Sequence, residues 1–202
     1  MNKNSIILGL TGPTGAGKTT ASNIMESLGC GIINADLIAK QDTLRNSKCI
    51  NLLVDEFGRE ILDNDNTIKR NALAQLAFSS KEKTNKLNSI THPFIIKEIN
   101  REIKKLIDLN KDIIVIDAAV LFESNLNKIC NYTICIICNI DIRLKRIIKR
   151  DNLNINDALL RIKAQNNDDF YINKSDFVLN GDLDMNEFIN QINKLITHLR
   201  RL

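Results

Sequence analysis

Eight consecutive residues, Gly12-Pro13-Thr14-Gly15-Ala16-Gly17-Lys18-Thr19, satisfy the pattern G-x-x-x-x-G-K-[ST] between an isoleucine-rich stretch and a helix-forming one. Glycines let the backbone turn tightly and aim successive N–H groups inward, and a helix starting near Lys18 adds its positive dipole end. Lys18 can then bridge the β- and γ-phosphates of a nucleoside triphosphate, while the Thr19 hydroxyl can ligate Mg²⁺. Gly12, Gly15, Ala16 and Gly17 are the expected backbone of that cradle.

Beyond the loop, Asp36 follows a short apolar run, Gly31 to Asn34, at the edge where open α/β sheets place their ligands. A carboxylate there can orient an attacking hydroxyl, take its proton and help hold a metal, or it can simply cap a helix. Asp117 ends another apolar run and Glu123 follows; each is read either as an acid near Mg²⁺ or as a structural hydrogen-bond acceptor. Arg143, Arg146 and Arg150 recur at i, i+3 and i+7, along one helical face. Phosphoryl transfer spreads negative charge over the equatorial oxygens, so arginines closing over a triphosphate belong in a lid; the alternative is a solvated basic face. Arg161 and Gln165 are candidates of the same kind. His92-Pro93 is read as a substrate contact or as a proline at a helix start.

Two motifs argue for less than they suggest. Asn173-Lys174-Ser175-Asp176 matches the guanine-reading N-K-x-D of regulatory GTPases, but it precedes an apolar strand where theirs follows one. Cys135 and Cys138 form a C-x-x-C inside an apolar run, with no second pair at zinc spacing, and read as small buried hydrophobes.

The elements that must carry these residues alternate between strand and helix. Strands are expected at Ser5 to Thr11, Gly31 to Asn34, Asp112 to Asp117, Tyr132 to Cys138 and Asp176 to Leu179, each apolar as a strand buried on both faces should be. Met185, Phe188, Ile189, Ile192, Leu195, Ile196 and Leu199 mark a final amphipathic helix. The expected fold is therefore α/β, a three-layer P-loop NTPase with a five-stranded parallel sheet. Its core takes in residues 1–37 and 111–202, with a helical insertion at 38–110 and a lid at 143–170. Loops are expected at Gly58 and at Asp63 to Thr67.

Composition narrows the class. At 202 residues with 44% apolar content the chain suits one domain, and none of its apolar runs reaches membrane-spanning length. The stretch from Asn2-Lys3 to Leu10 is too brief for a signal peptide. Five scattered cysteines suit a reducing cytoplasm. A net charge of +4 suits phosphate-bearing partners, whereas 4% aromatic content leaves little for a nucleic-acid stacking platform. Neither nucleic acid nor membrane is an expected partner, and a monomer or weak homo-oligomer is expected.

In order and spacing, the chain resembles the dephospho-coenzyme A kinases nearly end to end. The resemblance is carried by Thr11-Gly12 through Lys18-Thr19-Thr20; by Asn34-Ala35-Asp36-Leu37-Ile38-Ala39-Lys40, similar to D-A-D-x-I-A-R; and by Phe57-Gly58, Arg70 and Ala72-Leu73. Leu87-Asn88-x-Ile90-x-His92-Pro93-x-Ile95, Asp117 to Glu123, the arginine helix, Arg161-Ile162-x-x-Gln165 and Asn180-Gly181 complete it. It implies transfer of a phosphoryl group from ATP, with Mg²⁺, to the ribose 3′-hydroxyl of dephospho-coenzyme A. It further implies Asp36 as base and metal neighbour, Lys18, Arg143 and Arg146 in catalysis, and Thr20 and Arg150 beside the nucleotide. Lys40, Arg70, His92 and Glu123 then contact the acceptor. Three differences from the family pattern stand out: Asn34 for the first acid, Ala119 for a proline, and Asn167 to Asp169 where basic residues are common.

Overall fold

The computed structural model describes residues 5–41 and 43–202, so the charged start around Asn2 and Lys3 lies outside the described residues. The order is β1 (Ile6–Thr11), α1 (Lys18–Ser27), β2 (Gly31–Asn34), α2 (Ala35–Lys40), α3 (Ser47–Phe57), α4 (Arg70–Ala77) and α5 (Lys81–Asp108). There follow β3 (Ile113–Asp117), β4 (Tyr132–Ile137), α6 (Ile140–Asp151), α7 (Ile155–Lys163), α8 (Asp168–Ile172), β5 (Phe177–Asn180) and α9 (Met185–Leu199). The chain divides into two compact units, one comprising Met1–Ile33 with Lys105–Leu202 and the other Asn34–Lys104.

In the first unit the strands form one five-stranded parallel sheet in the order β2-β3-β1-β4-β5. β1 lies in the middle, with Leu8 beside Val115 on β3 and Leu10 beside Ile134 on β4. Alternation along each strand sends Leu8, Leu10, Ile113, Val115, Ile134 and Ile136 to one face. There they pack with Ala21 and Met25 of α1 and with Phe188, Ile192, Ile196 and Leu199 of α9. On the other face Gly9 leaves room for Leu121 and Cys130, and Gly31 for Leu106 at the end of α5.

The central strands are buried on both faces as expected, but β5 is not: Val178 is 46% exposed, because β5 is an edge strand with one face open to solvent. The stripe of α9 begins one turn later than the spacing predicts, at Phe188, since Met185 occupies the exposed first turn.

The second unit is helical. Cys49, Leu53, Phe57, Ile61, Leu73 and Ala77 form its core, drawn from α3, α4 and the turn at Arg59–Ile61. Gly58 ends α3 at φ 89°, and the Asp63 carboxylate closes the following loop by accepting from the N–H groups of Asp65 and Thr67 and from the Thr67 hydroxyl. Those Thr67 bonds hold the Asp63 carboxyl below its ordinary pKa.

The expectation that Pro93 starts a helix is corrected, because Pro93 sits inside the 28-residue α5. Proline removes one helical hydrogen bond, to the carbonyl four residues back. Pro93 and Ser89 both lie on the exposed side of α5, where solvent can serve the carbonyl that loses its donor.

The many asparagines have a local structural use. Asn34, Asn46, Asn139, Asn154 and Asn167 each cap a helix by accepting a backbone N–H, as Asp184 does for α9.

Candidate active site

The phosphate loop joins β1 to α1. Gly17 is the N-cap of α1 in the left-handed region, at φ 111°, and has no side chain to occupy the amides of the first turn; that turn holds no acid. Thr19 is exposed in it and Thr20 is half-buried. A site of this kind offers N–H donors and a positive dipole end to an anion. Gly15, at φ 80°, lies so close to α6 that an added Cβ would stand 2.8 Å from the Arg143 carbonyl oxygen. Gly12 and Ala16 are buried at the two sides of the turn, where the Ala16 N–H donates to the Pro13 carbonyl at 3.1 Å.

Lys18 points its ammonium at Asp117, the last residue of β3, with which it forms a salt bridge. The Asp117 side chain is nearly buried, so the structure brings the loop lysine together with an acid whose role the sequence left open. A lysine held by a carboxylate beside the loop is already extended where phosphate oxygens would meet it. The Thr11 hydroxyl donates to the Ala119 carbonyl at 3.4 Å, tying the strand before the loop to the segment after β3.

The solvated reading of the arginine face fails for Arg143, which is only 5% exposed. Its Nε donates to the Thr14 carbonyl at 3.0 Å and its Nη1 meets Asp168 at 3.4 Å. Arg146 donates from Nη1 to the carbonyls of Gly15 at 3.2 Å and Ala16 at 3.4 Å, and from Nη2 to the Gly181 carbonyl at 3.0 Å. Arg150 reaches the Thr14 hydroxyl at 3.4 Å and also pairs with Asp151. Bonds from Arg150, with Arg161 alongside, hold the Asp151 carboxyl below its usual range. Arg143 and Arg146 thus stand on the loop's carbonyl side, with Arg150 at the Thr14 hydroxyl. α6 is seated for this by an adjoining arc, where Ile147 packs with Ala158 and Ile162 of α7.

Gln165 accepts from the Thr14 N–H at 2.7 Å, and Asn166 donates to Glu123 at 2.7 Å. Asn167 and Asp168, which differ from the family pattern, are thereby accounted for: one caps α8 and the other pairs with Arg143. Neither was legible in the sequence, because each partner is set by the tertiary fold. Gly181 was singled out by sequence only as part of a pattern. It approaches the Ala16 carbonyl so closely that a Cβ would collide with it, and its own N–H donates to the Ile137 carbonyl at 2.7 Å.

Within Asn173 to Asp176, both charged side chains are engaged in the fold. The Asp176 carboxylate accepts from the Thr133 N–H at 2.7 Å and the Thr133 hydroxyl at 2.8 Å, pinning β5 to β4. Lys174 lies over the Phe170 ring, 4.2 Å from its centroid. Cys135 and Cys138 are buried hydrophobes; burial pushes the Cys138 thiol up to about 11.

In the second unit, Asp36 is half-buried in the first turn of α2, two residues beyond β2. The helix cap is Asn34, which accepts from the Leu37 N–H at 2.8 Å, so the cap reading of Asp36 is corrected. Asn34 replaces the family's acid in a position where a neutral acceptor does the capping. Lys40 ends α2 and Arg70 starts α4; both are exposed, and Arg70 donates to the Lys40 carbonyl at 2.9 Å. His92 is half-buried in α5, and burial lowers its pKa.

Comparison with known proteins agrees with this arrangement. The family model described as dephospho-CoA kinase matches residues 6–187. A dephospho-CoA kinase of Pseudoalteromonas translucida is 38% identical over 184 residues, 90% of this chain and 85% of that protein. One from Listeria monocytogenes is 33% identical over 195 residues, 96% of each. The solved dephospho-CoA kinase of Campylobacter jejuni superposes with a TM-score of 0.71 at 27% identity, covering 96% of this chain and 97% of its own. With the phosphate loop, the strand-end acid and this coverage in agreement, the chain belongs to the dephospho-CoA kinase family.

Proposed function

We propose that this chain transfers the γ-phosphoryl group of ATP to the ribose 3′-hydroxyl of dephospho-coenzyme A, giving coenzyme A and ADP. The observation that carries the reading is the Gly12–Thr19 loop between β1 and α1, with Lys18 extended toward the strand-end acid Asp117. In the reaction the 3′-oxygen attacks the γ-phosphorus, the bond from that phosphorus to the β,γ-bridging oxygen breaks, the oxygen leaves on ADP with the electron pair, and the hydroxyl proton passes to Asp36. Loop amides and Lys18 stabilise the charge on the transferring group. Arg143 and Arg146 add positive charge from the carbonyl side of the loop, and Thr20 and Arg150 complete the nucleotide site.

Mg²⁺ fits the donors available. It binds oxygen and keeps to few protein ligands when phosphates supply the rest. The Thr19 hydroxyl, with Asp36, would hold it, and when bound it would neutralise part of the phosphate charge. Among the described residues no group of three His, Cys, Asp or Glu forms a metal cage, in keeping with a metal carried in with the nucleotide.

Residues 38–110 are proposed as the acceptor-binding insertion, with Lys40, Arg70 and His92 on the acceptor together with Glu123, and residues 143–170 as the lid. The enzyme is proposed to work in the cytoplasm as a monomer or weak homo-oligomer, with neither nucleic acid nor membrane as partner. Among the described residues no helix is long and apolar enough to cross a membrane. The test is purified protein with ATP, Mg²⁺ and a panel of acceptors, followed by ADP release. Rapid release with dephospho-coenzyme A supports the assignment; negligible release with it, alongside rapid release with a nucleoside monophosphate, removes it.

A further inference from the structure

Every polar atom of Thr14 is taken by the segment that follows β4. Its N–H donates to Gln165 Oε1 at 2.7 Å, its carbonyl accepts from Arg143 Nε at 3.0 Å, and its hydroxyl accepts from Arg150 Nη2 at 3.4 Å. The next two carbonyls, of Gly15 and Ala16, accept from Arg146. A trans peptide points its C=O and the following N–H in opposite directions within its plane. Holding the Thr14 and Ala16 carbonyls on the α6 side therefore turns the N–H groups of Gly15 and Gly17 to the other side.

The same geometry separates Gln165 from the anion. The Pro13 carbonyl is drawn into the turn by the Ala16 N–H at 3.1 Å, so the Thr14 N–H, on the far side of that peptide, faces out of the turn. Gln165 meets it there. Gln165 is in turn well anchored: its own N–H donates to the Ile162 carbonyl at 3.2 Å, Asn166 bonds Glu123, and Asp168 pairs with Arg143.

We infer that Gln165 is a positioning residue for the phosphate loop, an acceptor delivered by the connection between α7 and α8 that fixes the Thr14 peptide and so aims the Gly15 and Gly17 amides at the polyphosphate. The inference rests on the reading of Gly12–Thr19 as a triphosphate cradle. It makes the segment after α7 part of the nucleotide site without requiring it to touch the nucleotide.

The test replaces Gln165→Met, which keeps the length of the side chain and removes its acceptor. ADP binding is measured by calorimetry with Mg²⁺ and no acceptor present, alongside steady-state kinetics. ADP should bind about tenfold more weakly and KM for ATP should rise by a similar factor, with kcat within about twofold. The ¹⁵N amide shifts of Gly15 and Gly17 should move in the ligand-free protein, a change a merely structural role elsewhere in the lid would not produce.

Unchanged ADP affinity with unmoved glycine shifts overturns the inference. Tighter ADP binding overturns it too, since Gln165 would then be a plug competing with the anion. Should Gln165→Met fail to fold, Asp168→Asn carries the test; by loosening Arg143 it should weaken ADP binding in the same direction by about threefold, and unchanged affinity there counts against the inference. Wild-type protein that binds no ADP removes the cradle itself, whereas wild-type binding with an indifferent Gln165→Met removes only the role of Gln165.

Discussion

In the phosphate loop, the carbonyls of Thr14, Gly15 and Ala16 and the N–H of Thr14 are each bound by a side chain from α6 or from the connection between α7 and α8. In the helical unit, by contrast, Lys40 and Arg70 stand exposed on helix ends, and the bond between them runs from a guanidinium to a main-chain oxygen. The loop is shaped in advance for its anion, so little reorganisation is left for the moment of binding. Long exposed side chains such as Lys40 and Arg70 must instead be ordered by whatever they bind, at a cost in rotamer freedom. The comparison predicts that changes in the loop act on turnover and nucleotide affinity, and changes in the helical unit on the acceptor.

The strongest way to break that division is Lys18→Ala. It should cut kcat by about a thousandfold or more while thermal unfolding stays cooperative, given the role proposed for Lys18 at the transferring phosphoryl group. Near-normal turnover would mean the loop is not the reactive end. Asp36→Asn should lower kcat by about a hundredfold and leave KM for ATP within about threefold, because a hydroxyl-orienting carboxylate acts in the transition state. A loss of Tm without loss of kcat would return Asp36 to a structural role. Arg70→Ala sharpens the comparison: KM for dephospho-coenzyme A should rise by about tenfold with KM for ATP unchanged, as expected for a charged hydrogen bond to the acceptor. Equal effects on both substrates would erase the distinction between the two regions.

The smallest effect belongs to His92. Burial lowers its pKa in the folded chain. The unfolded chain therefore takes up the proton first as pH falls through about 6.5, and stability present above that value is lost progressively below it. Tm measured from pH 8 to pH 5 should fall over the acidic part of the range, and His92→Gln should flatten part of the decline. An identical slope in that variant would assign the acid sensitivity elsewhere.

Legibility followed the range of the interactions. The phosphate loop is contiguous, and its chemistry is written in eight adjacent residues, so pattern alone located it between the right strand and helix. The central strands were equally plain, because burial on both faces leaves an unbroken apolar run. The bond from the Thr14 amide to Gln165 spans 151 positions, and the Arg143 pair with Asp168 spans 25; nothing local marks such partners. Asn34 departs from the family pattern by one charge, and its capping use lay outside that comparison, since a neutral side-chain oxygen is as good a helix cap as an acid. His92-Pro93 left a substrate contact and a helix start as alternatives, and the second fails because Pro93 lies inside α5.

The bond from the Gly181 N–H to the Ile137 carbonyl has a consequence for the ageing of the protein. An asparagine followed by glycine ordinarily deamidates readily, because the unhindered glycine nitrogen attacks the side-chain amide carbon and closes a succinimide ring. At Asn180 that nitrogen is engaged with β4, and the side-chain oxygen is held by the Asp182 N–H at 2.9 Å. Folding thus shields the junction from spontaneous chemical damage, one peptide before the Gly181 carbonyl that Arg146 binds.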